Sequence, residues 1–480
     1  MKRNTNYYRI YASRIAWIAA GAYIVECLCT AGLPYAQQEP VSEEFAATIS
    51  TANFYGNGPC GDRVALIEAP EDGFSIRLQM LSEATERIDV SYYAMHMGES
   101  TDVFLGALLD AADRGVQVRI LVDGMFGGLT KYHPIYATAL GAHPNIELTV
   151  YNTPWLLEPW TWNARLHDKY IIVDNNLLLL GGRNIGDKYF AWKGYDGPIS
   201  YDRDVLVYHG EETVEGSVLW EVRAYMDGIL CGDHVIAPYA ENTRWAIQRR
   251  QALTSAYADY AVANPETFQF IENYEITTVS ANCVTFFHND AGIGPKEPKV
   301  AYTVREMLLS AEDTVTMQSP YVILDDNLED TLRQLGAQEI TADILTNSMA
   351  SSPNPLACTG YYLDRGRILE SGISVWEYQS VDSIHAKSYL IDGRMALVGS
   401  YNMDPRSAYI DTELMLAIDS EEFAVQLQLA QQSYQSQSLP LDADGQYSVK
   451  PQTDAEEVSL LKQVRTYALY PGVWMFKYLV

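Results

Sequence analysis

The chain has 480 residues, 48% of them hydrophobic, and a formal net charge of −29 at pH 7. One domain takes ~100–200 residues, so the length suffices for two or more cores. With 33 Lys and Arg against 62 Asp and Glu, a general polyanion-binding surface is excluded. Nucleic acid and anionic lipid are repelled unless a local basic site overrides the field.

Lys2, Arg3, Arg9 and Arg14 precede an apolar run from Ile15 to Leu33 that carries one charge, Glu26. As a helix this run reaches about 28 Å, close to the thickness of a hydrocarbon core. Basic residues before it and Glu39, Glu43 and Glu44 after it place the N-terminus inside and the bulk of the chain outside. Residues 1–36 are read as an uncleaved anchor, with a signal peptide cut near Ala31 as the competing reading. Residues 37–63 form a linker. Cys27 and Cys29 lie in the apolar run and read as small hydrophobes. Cys60, Cys231, Cys283 and Cys358 are far apart, without zinc-like spacing, and both free thiols and disulfides stay open.

The next elements predict a chain built twice. "ERIDVSYYAM" reads as a strand, "DVFLGALLDAADRG" as a helix with apolar residues at helical spacing, and "VQVRILVDG" and "NIELTVY" as two more strands. The second half repeats the order with "DTVTMQSPYVI", "LEDTLRQLGAQE", "ITADILTNS" and "GISVWEY". Ile88 to Val315 and Ile146 to Ile373 are both 227 residues apart. Alternating strands and helices imply an α/β fold with right-handed crossovers. The expectation is two pseudo-two-fold-related halves, residues 64–209 and 299–440, each a mixed, mostly parallel sheet flanked by helices. Residues 210–298 are expected to be a helical connector or lid without an N-terminal counterpart, and 441–480 a C-terminal tail.

Each half ends on one motif, H-x-K-x-x-x-x-D: His167, Lys169 and Asp174, then His385, Lys387 and Asp392. A pair of small residues and an asparagine follow: Gly181, Gly182 and Asn184, then Gly399, Ser400 and Asn402. His and Lys at i and i+2 of an extended chain project to one face. The small pair permits a bend that returns the asparagine as a neutral donor. Two lysines and two asparagines converging across an interface make a concentrated anion site in an acidic protein. A phosphoryl group, with several oxygens to satisfy, suits it. Of two imidazoles across a phosphorus, one neutral ring attacks and the other, protonated, serves the leaving alkoxide. The lysines supply the positive charge, so the chemistry calls for no metal or other cofactor. An acid follows each motif, Asp204 in "YDRDV" and Glu413 in "IDTEL". Each is expected to hold an imidazole's tautomer.

The doubled motif with its "GGRN" and "GSYN" tails resembles the phospholipase D superfamily. "GGRNIGDKYF" and "GSYNMDPRSAY" are similar to bacterial cardiolipin synthases, over roughly Val64 to Leu416. The resemblance implies a phosphohistidine intermediate, with His167 as nucleophile and His385 as acid/base. Asp174 and Asp392 would mainly support structure. Gly182 stands where many members carry serine, a change that cardiolipin synthases commonly share. The implied activity is phosphatidyl transfer from a phospholipid to an alcohol such as phosphatidylglycerol, or to water. The alternatives are a nuclease or other phosphodiesterase on the same fold, disfavoured by the charge, and an inactive tethered scaffold, disfavoured by two intact motifs. A phospholipid and a membrane bilayer are thus the expected partners, and nucleic acid is not.

The first half carries nine extra residues between its third strand and its histidine, within "NTPWLLEPWTWNARLH". Trp155, Trp160 and Trp162 there read either as core or as a lipid-facing lip. The aromatic ending "YALYPGVWMFKYLV" is likewise open to membrane contact or docking on the domain. His96 and His288 read as structural histidines.

Overall fold

The computed structural model describes residues 2–130, 133–211, 214–268, 274–448 and 453–480. The first half supplies β1 (Asp62–Ile67), β2 (Arg87–Tyr92), β3 (Gln117–Asp123), β4 (Ile146–Tyr151), β5 (Lys169–Val173), β6 (Leu177–Gly181), β7 (Ser200–Tyr201) and β8 (Asp204–His209). Two short strands follow, β9 (Val235–Ile236) and β10 (Val279–Ser280). The second half supplies β11 (Cys283–His288), β12 (Thr314–Gln318), β13 (Thr341–Asn347), β14 (Ser374–Tyr378), β15 (Ser383–Ile384), β16 (Lys387–Ile391), β17 (Met395–Gly399), β18 (Leu414–Asp419) and β19 (Ser438–Pro440).

Seven strands of each sheet stand in the same order, β1-β8-β6-β5-β2-β3-β4 and β11-β18-β17-β16-β12-β13-β14. The duplication therefore extends one strand further than expected. β11, at the end of the 210–298 segment, takes in the second sheet the place of β1 in the first. The sheets are mixed, but parallel pairing is confined to β2-β3-β4 and β12-β13-β14. The other pairings in both sheets are antiparallel, which corrects the mostly parallel expectation. The reason is local: after β4 and β14 no helix intervenes, and tight turns at Asp174 and Asp392, both at positive φ, fold the motif strand back on itself.

β5 and β6 are buried along their whole length, as are β16 and β17. That is why they read as unbroken apolar runs rather than alternating ones. One face of each sheet meets its own helices. The other faces the opposite half, where Tyr170, Ile172, Leu178 and Leu180 share a core with Leu390, Ala396, Val398 and Leu416.

Two helices of the 210–298 segment pack on the halves. Its helix Val218–Leu230 packs its apolar face into the core between the halves. Its helix Arg244–Ala263 lies on Glu99–Asp113, so closely that a side chain at Gly106 would meet the Leu253 carbonyl. The apolar stretch expected as an anchor is largely an exposed helix, Lys2–Cys27, continued by tighter and wider turns to Ala36. Tyr11–Ala36 is long and apolar enough to cross a membrane. All six cysteines are free thiols.

Candidate active site

The halves exchange backbone hydrogen bonds just before each motif histidine. Thr412 N donates to Arg165 O at 2.9 Å, and His385 N donates to Tyr201 O at 2.6 Å. β7 pairs in parallel with β15 across the same interface. His167 N donates to Thr412 Oγ1 at 2.8 Å, and that hydroxyl donates on to the buried Asp168 carboxylate at 2.7 Å. These bonds bring both histidines to one cavity of about 700 Å³, which Asn184, Asn402, Tyr93 and Arg406 also line.

Each imidazole is held from the opposite half. His167 Nδ1 lies 2.9 Å from Glu413 Oε1, a close pair that is not aligned as a hydrogen bond. His385 Nδ1 lies 2.5 Å from Asp202 Oδ2. Glu413 is brought beside His167, and its expected role stays a proposal. The expectation for Asp204 is corrected: Asp204 is buried in a pair with Arg77, Nη1 to Oδ2 at 3.0 Å, and with Arg183, Nε to Oδ2 at 3.0 Å. It begins β8 opposite Gly181, the register that Met415 holds opposite Gly399. The counterpart of Glu413 is thus Asp202, two residues earlier.

Gly182 and Ser400 serve these two acids differently. The Ser400 hydroxyl donates to Glu413 Oε2. A Cβ at Gly182 would stand 2.3 Å from Asp202 Oδ1, so the smaller acid fills the space that a side chain would need. Lys169 and Lys387 each donate back to the carbonyl of their own histidine, and Lys387 Nζ is also 2.8 Å from His385 Nδ1. Asn184 Oδ1 accepts from Ala94 N at 3.2 Å, and Asn402 Nδ2 donates to Ser407 Oγ at 3.2 Å. Asp174 accepts from the backbone N–H groups of Thr85, Glu86 and Arg87, and Asp392 from those of Glu312, Asp313 and Thr314. These two aspartates pin the turns that enter β2 and β12 and stand outside the cavity.

Burial is the largest influence on the charged groups. It lowers His167 well below the ordinary histidine value, with Lys169, Lys387 and Arg406 adding to the fall. It holds His385 at about 3, Lys387 adding and Asp202 opposing. Lys169 is lowered to about 7 by burial and then by Lys387. Lys387 falls to about 8 by burial against the pull of Asp202. Burial lifts Glu413 to about 8, with Lys169 opposing. Burial also pushes Asp202 up, but Lys387 and His385 outweigh it and hold the carboxyl well below the usual carboxylate range. Burial thus disfavours each cation, and the lysines lower both imidazoles further, an effect that a bound phosphoryl anion opposes.

Besides Asp202, sequence reasoning missed Arg406 and Tyr93. Arg406 begins in the short helix Pro405–Tyr409 and donates to Leu479 O at 3.0 Å and Asn163 O at 3.2 Å. Tyr93 stands edge-on to His167 at 4.8 Å, with Lys169 Nζ 5.0 Å from its ring centre. Their signals were the "DPRS" tail and the aromatic pair ending β2. His96, set aside as structural, lines the cavity, and burial lowers it to about 4.

Two matching halves that each deliver one motif histidine to a shared cavity define the class: a phospholipase D-type fold. The family model described as "Cardiolipin synthase, PLD-like domain" matches residues 78–208 and again 304–432, more than half of the chain. The chain belongs to that family. It is 26% identical over 454 residues to "Cardiolipin synthase C" of Escherichia coli K12, covering 85% of this chain and 92% of that one. It is 25% identical over 395 residues to "Cardiolipin synthase A" of Proteus mirabilis, covering 81% and 72%. Among solved structures, phosphatidylserine synthase of Haemophilus influenzae superposes with a TM-score of 0.62 over 91% of this chain and 100% of that one, at 15% identity. That likeness speaks for the fold.

Proposed function

We propose that the protein is a membrane-anchored phosphatidyltransferase that makes cardiolipin-type product through a phosphohistidine. The observation that carries this reading is the pair of imidazoles in one cavity, each backed by a carboxylate from the other half. His167 Nε2 attacks the phosphorus of a phosphatidylglycerol phosphodiester, and the P–N bond forms as the bond to the glycerol oxygen breaks. His385 gives its proton to that leaving alkoxide. The headgroup alcohol of a second phosphatidylglycerol then loses its proton to His385 and attacks phosphorus, and the P–N bond breaks. Water in place of that alcohol gives phosphatidic acid.

The two acids support this division of roles. Asp202, the more firmly ionised, stands at His385 and stabilises an imidazolium there. His385 is deprotonated in the free enzyme. A phosphodiester anion between Lys169 and Lys387 neutralises the two cations that disfavour its proton, raising its pKa as the substrate arrives. Asn184, Asn402 and the lysines hold the non-bridging oxygens. The apolar stretch Tyr11–Ala36 anchors the chain with its N-terminus inside and the catalytic halves outside.

Lipid mass spectrometry of cells expressing the chain, beside His167→Ala and His385→Ala, tests the reading. Cardiolipin or phosphatidic acid should rise with the intact chain and with neither variant. Lipids unchanged by the intact chain, or turnover that survives His167→Ala, would reject it, and DNA cleavage in a parallel assay would favour a nuclease.

A further inference from the structure

The loop between β4 and β5 carries the extra residues of the first half, and its tip is apolar and bare. Trp155, Leu156 and Leu157 are 59%, 72% and 70% exposed, and Trp160 is 40% exposed. Bare aromatic and aliphatic side chains in such a cluster mark an interaction surface. The loop runs along the apolar N-terminal helix. Tyr23 Oη donates to Leu156 O at the tip, and Asn163 Nδ2, at the base, donates to Ala31 O. Eight helical residues separate those two contacts, about 12 Å along the axis. The loop base is also the cavity wall, through Trp162 and Asn163.

The C-terminal residues join the same cavity wall, bridged to the loop base by Arg406. Leu479 and Val480 line the cavity, and Tyr478 stands against Gly32 at the end of the same helix. Just before them Trp474 and Met475 are 73% and 58% exposed. The helix end thus meets two apolar segments that line one cavity.

We propose that this opening docks on the phospholipid bilayer, with the tip of the 155–160 loop immersed in the outer leaflet beside the anchor. The inference rests on reading Tyr11–Ala36 as the membrane span. A span that enters the bilayer takes with it whatever is fastened to its flank, and the loop tip is fastened at Tyr23, well inside the apolar stretch. Two carbonyls of the tip are already satisfied for a dry setting: Trp155 O accepts from Trp162 Nε1 at 2.8 Å and from Glu158 N at 3.1 Å, and Leu156 O accepts from Tyr23. Glu158 is the one charge from Thr153 to Asn163. A diacyl lipid can then pass its headgroup into the cavity while its chains stay in hydrocarbon.

The full-length chain, reconstituted in phosphatidylcholine vesicles brominated in their acyl chains, tests this against Trp155→Phe/Trp160→Phe. The emission lost in the double variant is the rim pair's own signal, and bromination should quench most of it. A rim signal of equal strength in brominated and plain vesicles overturns the proposal. Leu156→Ser/Leu157→Ser should lose about tenfold in turnover of phosphatidylglycerol in vesicles, the scale of one leucine withdrawn from hydrocarbon. It should keep its rate on monomeric dihexanoyl phosphatidylglycerol, and an equal rate on vesicles also overturns the proposal. A wild-type chain inert on both substrates would count against the phosphatidyltransferase reading alone, because the quenching needs no turnover.

Discussion

His167 and Glu413 belong to opposite halves of the chain, yet Nδ1 of the one lies 2.9 Å from Oε1 of the other. The same exchange joins His385 to Asp202. Each motif imidazole therefore meets its acid only when both halves dock, and neither half holds a complete acid–imidazole pair. Glu413→Gln keeps the shape of the side chain but loses the carboxylate charge beside the ring. It should lower kcat roughly 10²–10⁴-fold, the range for a group that positions a general base or nucleophile. Circular dichroism and the unfolding midpoint should stay near wild type. A kcat within threefold of wild type would remove Glu413 from its place behind His167.

Asp202 and Asp204 lie two residues apart and should give opposite phenotypes. Asp202→Asn leaves His385 without its charged partner and should lower kcat by a similar factor with little loss of stability. Asp204→Asn leaves Arg77 and Arg183, both fully buried, short of a counter-charge. Breaking a buried pair from one side costs about 3–5 kcal/mol. The thermal midpoint should fall sharply while the protein that remains folded keeps its kcat. Thermal melts and active-site-normalised kinetics on the two variants separate the roles, and a catalytic loss in Asp204→Asn without a lower midpoint would reverse them.

Gly182 is required by contact rather than by backbone conformation. Its φ is not positive, so alanine suits the backbone, but a Cβ there would stand 2.3 Å from Asp202 Oδ1. Gly182→Ala should push that carboxylate off His385 and reproduce the kinetic loss of Asp202→Asn. Combined, the two substitutions should cost about as much as either alone, because residues acting as a unit are not additive. Steady-state kcat on the two single variants and the double variant checks this, and additive losses would place Gly182 in another role.

The two halves and their motifs were legible because strand periodicity puts His and Lys on one face and because the pattern occurs twice at a near-constant offset. The supporting acid of the first half was not. Asp202 and Asp204 project to the same face of an extended chain, and the stretch before Glu413 is shorter than the one before Asp202, so the offset between motifs does not choose between them. What chooses is burial against Arg77 and Arg183 from separate elements, which no local pattern encodes. The dominance of antiparallel pairing was hidden likewise. It follows from two tight turns that Asp174 and Asp392 stabilise through long-range bonds to the turns entering β2 and β12. Arg406 was visible only as one letter of a family tail, because its partners Asn163 and Leu479 are distant in sequence.

The charges of the cavity set the direction of its pH response. Both imidazoles are depressed by burial and by the lysines, so they stay deprotonated well below the ordinary histidine value. The acid limb of kcat/KM, a property of the free enzyme, should therefore lie below pH 6.5. The alkaline limb belongs to the anion site. Lys169 near 7 and Lys387 near 8 lose their charge as pH rises through those values, and Glu413 near 8 gains one of the wrong sign. All three changes weaken the hold on a phosphodiester, so kcat/KM should fall from pH 7 to pH 9. A bound phosphoryl anion stabilises both ammonium groups, so the alkaline limb of kcat, a property of the complex, should lie at higher pH than that of kcat/KM. Lys169→Arg, whose guanidinium stays charged throughout, should leave only the limb near 8 if the substituted site still turns over. A kcat/KM that is flat from pH 7 to pH 9 would show that the lysines keep full charge in the free enzyme, and the depression imposed by burial could then not be what a phospholipid headgroup relieves.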